Sequence, residues 1–179
     1  MSEIRVRRTL DDNLDAVALD NPFPVSVENS VGVASKVYAT PYVTIPDIGT
    51  ASAYTAADAF GGKFIFIVPS EGIIETAIML DLDDEGINTE LWLFNHDFTA
   101  TADNAAFAVS DGDLANLEVV ISITNFVNAA NNQVGIANNL SLPYTAPSGS
   151  LWGQCVTRGA PNIAAANIPK IALRILGVR

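Results

Sequence analysis

The feature that most constrains the fold of this chain is a regular succession of short β-type runs from Lys36 onward. Nine or so such runs are separated by turns rich in Asn, Asp and Gly. We interpret these runs as strands: KVYATPYVTI, GGKFIFIVP, GIIETAIMLDL, TELWLFNHD, NAAFAVSDGD, LEVVISITNFV, GIANNLSLPYTAPSG, LWGQCVTRG and PKIALRILGV. Strands of this length and spacing are typical of antiparallel sandwiches. The sequence therefore predicts an all-β fold over residues 36–179, an antiparallel β-sandwich of jelly-roll-like type.

A two-sheet sandwich requires inward-facing apolar positions, and little helix is expected. One short helical turn is predicted in DGDLANLE, capped by Asp111 or Asp113. The predicted inward positions are Phe64, Phe66, Ile74, Ile78, Leu80, Leu91, Leu93, Val120, Ile121, Ile123, Leu151, Ile171, Leu173 and Ile175.

Residues 1–35 differ from the rest of the chain and are predicted to form an extended N-terminal arm. They contain scattered aspartates, two prolines and only brief apolar pairs. A short helix over Asp11–Leu19 is conceivable, since Leu10, Leu14 and Val17 share a face at helical spacing. The segment NPFPV would end it, because proline removes a donor and favours extended geometry in its predecessor. The alternative is a poorly ordered terminus.

Composition places the chain among proteins that fold without cross-links. Apolar residues make up 49% of 179 residues, which is enough for a core, and the single cysteine, Cys155, cannot form an intrachain disulfide. We expect Cys155 to be a buried, inert thiol. No apolar stretch approaches a membrane span, and the basic N-terminus lacks the apolar region of a signal peptide. Synthesis in the cytoplasm is therefore expected.

The charge distribution argues against binding to nucleic acid. The formal net charge is −11, and between Val37 and Thr157 one basic residue, Lys63, faces fourteen acidic ones. Such a body repels phosphate. The basic tip formed by Arg5, Arg7 and Arg8 is separate and suits docking on an acidic partner surface.

The only histidine, His96, invites a catalytic or metal-binding interpretation because Asp97 follows it. A metal site needs three or four ligands, and a catalytic histidine needs an orienting partner. Neighbours on a strand end point to opposite faces, so the two side chains are not expected to pair. We expect His96 to be a surface residue, followed by an ordered loop in which Asp103 and Asn104 make turn hydrogen bonds.

The acidic segment LDLDDEGIN, residues 80–88, invites a calcium interpretation. An EF-hand loop requires alternating ligands, a glutamate at its twelfth position and flanking helices, whereas Glu90 falls too early and the flanks read as strands. A hairpin connection with Gly86 at positive φ is the preferred interpretation. No metal ligand or cofactor is predicted.

Other catalytic signatures are missing from the sequence. No base accompanies a serine or threonine nucleophile, and no phosphate-binding glycine motif precedes a helix. A glycosidase built from two carboxylates stays open, although it needs aromatic platforms and only Trp92 and Trp152 are available. We therefore expect no enzymatic activity.

Several segments resemble a family of tailed-phage virion proteins, encoded near the major capsid protein and described as capsid decoration or cement proteins. The similarity lies in YTAADAFGGKFIFIV, then LDLDDEGINTELWLFNHDFTATADNAAFAVSDGDLANL, then NNLSLPYTAPSGSLWGQCVTRGAPN and IALRIL. It covers the chain from about Tyr54 onward and leaves out the arm. Lys63 replaces an apolar residue of the family pattern, and Trp152 stands where the family has tyrosine.

The resemblance implies a structural role on the outer surface of a phage capsid. The expected partners are the major capsid protein and other copies of the chain, as a trimer first and a dimer second. The candidate partner-binding residues lie in the arm: Arg5, Arg7, Arg8, Phe23 and Val25. The alternatives are another virion component, such as a tail, baseplate or head-completion protein, and a carbohydrate-binding jelly roll with Trp92 or Trp152 exposed beside paired acids.

Overall fold

The β-type runs fold into ten strands and one short helix in a computed structural model that describes residues 36–49 and 52–177. The elements are β1 Lys36–Ala39, β2 Val43–Thr44, β3 Ala59–Ile67, β4 Glu71–Asp81, β5 Thr89–Phe94, α1 Asp111–Leu114, β6 Leu117–Ile123, β7 Phe126–Asn128, β8 Gln133–Thr145, β9 Ser150–Thr157 and β10 Lys170–Gly177. Every strand pair is antiparallel. The prediction of an all-β antiparallel fold is confirmed.

The strands form two sheets with the apolar core between them. The six-stranded sheet has the order β1-β10-β4-β8-β7, with β2 also paired to β10, and the four-stranded sheet has the order β3-β9-β5-β6. One buried cluster contains side chains from both sheets, which is the packing of a β-sandwich. The jelly-roll-like refinement stays a prediction.

Most of the predicted core is correct. Eleven of the predicted inward residues are buried: Phe64, Phe66, Ile74, Leu91, Leu93, Ile121, Ile123, Leu151, Ile171, Leu173 and Ile175. Val120 is half-buried instead, because it pairs with Trp92 on the outer face while Ile121 faces the core. Alternation along a strand prevents neighbouring residues from sharing one face.

A β-bulge at Glu75 explains why the predicted burial of Ile78 and Leu80 is wrong. The register of β4 shifts at this residue, against both neighbouring strands. An extra residue moves every following side chain to the opposite face. Ala77 and Met79 therefore face the core, while Ile78 and Leu80 lie half-buried on the outer face.

The predicted strand Asn104–Asp113 is wrong, because residues 104–110 form a loop and Asp111–Asp113 belong to α1. The loop contributes only an isolated bridge between Ala106 and Asp58 and then enters α1. The predicted helix is present, but its cap is Ser110 rather than Asp111 or Asp113. The Ser110 side chain accepts a hydrogen bond from the amide of Asp113, as expected for an N-cap.

The predicted arm, residues 1–35, and the conceivable helix Asp11–Leu19 lie outside the described residues. Within those residues, no helix has the length and apolar character needed to cross a bilayer.

Tyr144 makes the stability of this fold sensitive to alkaline pH. Its ring is buried, and its hydroxyl donates to the carbonyl of Pro69 at 3.2 Å. Burial raises the pKa of Tyr144 to about 12, with a smaller contribution from Tyr38. Above pH 10 the unfolded chain releases this proton while the folded chain retains it. The free energy of unfolding is therefore unaffected by Tyr144 below pH 10 and falls as the pH rises from 10 towards 12.

We therefore expect the Tyr144→Phe variant to lose less stability than the wild type between pH 10 and pH 12. The difference in slope should approach about 1.4 kcal/mol per pH unit. Urea unfolding at several pH values measures it, and equal slopes would contradict the assignment. Tyr42→Phe, at a half-exposed tyrosine, serves as the control.

Candidate functional site

The loop between β5 and β6 covers the outer face of the four-stranded sheet. At its start, Phe98 stacks on Phe94, the last residue of β5, with ring centroids 4.2 Å apart, and both rings are buried. The Lys63 ammonium donates to the carbonyl of Phe98 at 2.8 Å and pairs with Asp97. Lys63 thus fixes the start of this loop.

Asp103 fixes the middle of the same loop by accepting three hydrogen bonds. Its Oδ1 accepts from the hydroxyl of Tyr54 and the amide of Gly61, both at 2.7 Å, and its Oδ2 accepts from the amide of Gly49 at 2.8 Å. Burial, followed by the bond to Asp103, raises the pKa of Tyr54 well above its usual range. Asp103 and Asn104 lie in a turn, as predicted, but their side chains bond distant segments of the chain rather than the backbone of their own turn.

Backbone pairing continues this attachment on both sides of Asp103. The amide of Asn104 donates to the carbonyl of Ala59, the amide of Ala59 to the carbonyl of Ala105, and the amide of Phe107 to the carbonyl of Ala57. Asn104 adopts φ +56° and donates its side-chain amide to Ser52. The loop is therefore held like a short extra strand.

Gln154 satisfies the buried backbone beneath the loop. It is a fully buried residue of β9 whose Nε2 donates to the carbonyls of Gly61 and Thr101, at 2.9 and 2.7 Å. Its Oε1 accepts from the amide of Thr101 at 3.1 Å. A buried amide with all its partners in place rigidifies its surroundings, because any displacement leaves polar atoms unpaired.

A shallow groove of about 310 Å³ lies where this loop meets the sheet. Its lining is Ala57, Trp92, Phe107, Val109, Leu114, Val156 and Arg158. The Trp92 and Phe107 ring centroids lie 5.0 Å apart, and the indole nitrogen of Trp92 donates to Glu90. Arg158 also donates to Glu90 and lowers the pKa of that carboxyl. The lining is apolar apart from Arg158, and it contains no carboxylate.

His96 lies where the sequence placed it, exposed just beyond β5. Its Nδ1 is 2.6 Å from the side-chain oxygen of Asn95. Asp97 pairs with Lys63 instead, and that hydrogen bond lowers the pKa of the Asp97 carboxyl. The expectation that His96 and Asp97 do not form a pair is confirmed.

The acidic segment after β4 uses its carboxylates to shape the chain. Asp81 is buried and accepts from the amides of Asp83 and Gly86, and Asp83 accepts from Ala164 and Asn167. Gly86 has the predicted positive φ, +59°. The predicted hairpin is wrong, because β4 and β5 belong to different sheets and the segment crosses between them.

The remaining reactive side chain, Cys155, is fully buried in β9. Burial raises the pKa of its thiol to about 12, so it is protonated at neutral pH. Among residues 36–49 and 52–177, no three His, Cys, Asp or Glu side chains form a group that could hold a metal ion.

The predicted partner-binding residues of the arm, which are Arg5, Arg7, Arg8, Phe23 and Val25, lie outside the described part of the chain. The loop attachment around Asp103 and the groove beside Trp92 are therefore the candidate site that the structure defines. Sequence reasoning identified Asp103 but missed its partners, which are 42 to 54 residues away in the chain.

No protein-family model, curated protein or solved structure matches this chain.

Proposed function

We propose that this protein is a non-enzymatic structural component of a tailed-phage virion that binds the outer surface of the capsid and stabilises it. Its partner is the major capsid protein. The protein is made in the host cytoplasm and acts in the virion.

The observation that carries the proposal is the convergence of the resemblance segments on one network. The tyrosine, paired glycines and DNAAF of those segments come from distant parts of the sequence. In the fold they meet where Asp103 binds Tyr54 and Gly61 and where Phe107 pairs with Ala57. Residues that recur in a shared pattern and contact one another form a single structural signature, which supports the family assignment.

The way the chain uses its carboxylates also supports a structural role. Asp81, Asp83 and Asp103 accept backbone or side-chain hydrogen bonds that fix loops, and Glu90 and Asp97 pair with cations. A protein that reinforces a shell must keep its shape, and fixed loops preserve contacts that repeat over many copies. Repetition then turns weak individual contacts into strong binding.

The basic tip of the arm supplies a testable contact with the capsid. Replacing Arg5, Arg7 and Arg8 by alanine should weaken capsid binding about tenfold, since exposed charge pairs contribute roughly 0.2–1 kcal/mol each. The loss should shrink as salt is raised. The triple Arg→Lys variant, which keeps the charge, is the control and should bind nearly as well as the wild type.

Co-sedimentation of the full chain with undecorated capsids of the phage that encodes it measures this binding. Saturation at a fixed ratio to the major capsid protein would support the proposal. Binding to tails or baseplates instead would favour the other virion component. Binding to neither, together with a tryptophan fluorescence change on titration with saccharides, would favour the carbohydrate-binding alternative. Unaltered capsid binding by the alanine variant would show that the basic tip of the arm is not part of the contact with the capsid.

A further inference from the structure

The outer face of the six-stranded sheet is unusually apolar for a surface of this protein. Residues directly opposite one another in paired strands share a face, so the register assigns four rows of side chains to it. The rows are Val37, Leu176, Ile73 and Pro143; Ala39, Arg174, Thr76 and Asn138; Ala172, Ile78 and Ile136; and Thr44, Lys170, Leu80, Val134 and Val127. An outward face of an antiparallel sheet is normally polar, whereas three of these rows are dominated by apolar residues.

Part of this face is open in the isolated chain. Val37 is 67% exposed and Val127 53% exposed, at opposite corners of the face, and Pro143 is exposed beside Ile73. The β-bulge at Glu75 adds to the apolar character of the face, because it turns Ile78 and Leu80 outward. A sequence that places large aliphatic residues here loses stability by exposing them unless another surface covers them.

From these observations we propose that a second copy of this chain covers the outer face of the six-stranded sheet, as a twofold-symmetric dimer. This inference goes beyond the capsid proposal and does not depend on it.

The area of the face suits such a dimer. Five strands spaced about 4.8 Å apart and four rows about 6.8 Å apart give a face of about 600 Å². Two copies would bury about 1,200 Å² in total, which reaches the lower limit of specific, stable interfaces.

The charge pattern favours contact at this face over contact elsewhere. Residues 36–177 contain fourteen acidic and five basic side chains, so most surfaces of two copies repel each other. The four rows contain Lys170 and Arg174 and no carboxylate. The acids of β4 near them are Glu75 in the bulge and Glu71, which lies on the same face one row beyond Ile73, at its edge. Two copies can therefore approach through this face with the least repulsion.

The order of the rows makes the face self-complementary. A twofold axis parallel to β4 places each row against the same row of the second copy, so apolar rows meet apolar rows. The row of Arg174, Thr76 and Asn138 then meets itself, and the guanidinium of Arg174 lies opposite the amide oxygen of Asn138 in the second copy. Thr76 and Ile78, on the central strand, lie near the axis and face their own copies.

Sedimentation velocity of the free full chain tests the proposal without any capsid. The wild type should sediment as a dimer with twice the 18.9 kDa chain mass. Ile78→Glu should raise the dimer dissociation constant at least about tenfold, because it places two carboxylates against each other near the axis. Val127→Glu, at an exposed position that does not endanger folding, should raise it by a smaller factor. The matched control is Ile67→Glu, since Ile67 is 63% exposed on β3 in the other sheet.

A crosslinking experiment locates the axis independently. Thr76→Cys should be joined between copies by a short bis-maleimide, whereas Ile67→Cys should not, and the buried Cys155 provides no competing thiol. A wild-type monomer, a trimer, or a dimer that both glutamate variants leave intact would overturn the proposal. A dimer that fails to bind capsids would overturn only the proposed function.

Discussion

Replacing Asp103 by alanine is expected to lower the free energy of unfolding by about 3 kcal/mol, one of two large substitution effects that follow from the loop attachment. The variant removes the acceptor of three hydrogen bonds, so the amide of Gly61 and the hydroxyl of Tyr54 lose that partner, and the amide of Gly49 keeps only the Tyr54 hydroxyl. The three bonds are only partly buried, so the ordinary net contribution of about 0.5–1.5 kcal/mol per hydrogen bond applies, which gives a total of about 3 kcal/mol. For a chain of this length, the melting temperature should fall by about 10 °C.

Urea unfolding followed by tryptophan fluorescence measures the loss, because Trp92 lies under the same loop. Asp111→Ala is the matched control, since Asp111 is an exposed aspartate in α1, and it should change stability by less than about 0.5 kcal/mol. Asp103→Asn should be intermediate, because its remaining oxygen can still accept from Tyr54 and Gly61. Equal stability of the Asp103→Ala and Asp111→Ala variants would show that the loop does not depend on the carboxylate.

The second large effect is expected from Gly61→Ala, at about 3 kcal/mol. Gly61 has φ +79°, and an added Cβ would lie 2.4 Å from the Ile45 side chain and 2.7 Å from the carbonyl oxygen of Pro46. The left-handed backbone costs an alanine about 1–2 kcal/mol, and overpacking adds about 1–3 kcal/mol. The strain also displaces the amide that donates to Asp103.

Chemical denaturation again provides the measurement, with Gly112→Ala as the matched control. An added Cβ at Gly112 meets nothing closer than the Ser110 hydroxyl at 3.9 Å, so this helical position should gain slightly from alanine. Because Gly61 and Asp103 share one hydrogen bond, the double variant should lose less stability than the two single losses combined. Additive losses would indicate that the two residues act independently.

The sequence predicts those parts of the fold that depend on local pattern. Alternating apolar runs identified most strands and eleven core residues, because strand formation and facing follow from period-two alternation. The bulge at Glu75 has no such signature, since an inserted residue looks like any other in a run of mixed character. The error at Ile78 and Leu80 follows directly from it.

At the candidate site, the sequence predicts the turn from its local residue types, but it does not predict which distant residues those side chains contact. Asp103 and Asn104 are turn residues in any context, whereas the contacts with Gly49, Tyr54 and Gly61 depend on which strands become neighbours. The cap at Ser110 was detectable, because the spacing from Ser110 to Asp113 is that of a capping box with aspartate in the acidic position. The residues before Ser110 resemble a strand, and interpreting that strand as continuing to Asp113 obscured the cap.

The position of β10 has a consequence for how the chain reaches its fold. This strand lies between β1 and β4, so the first and last described strands are sheet neighbours, and both neighbours of β4 follow it by more than 50 residues. Such non-local pairing is associated with folding in milliseconds to seconds, because long loops must close before contacts form. On the ribosome, the six-stranded sheet cannot be completed until β10 has emerged. Assembly with any partner through the completed sheet therefore has to wait until β10 has been made and has inserted between β1 and β4.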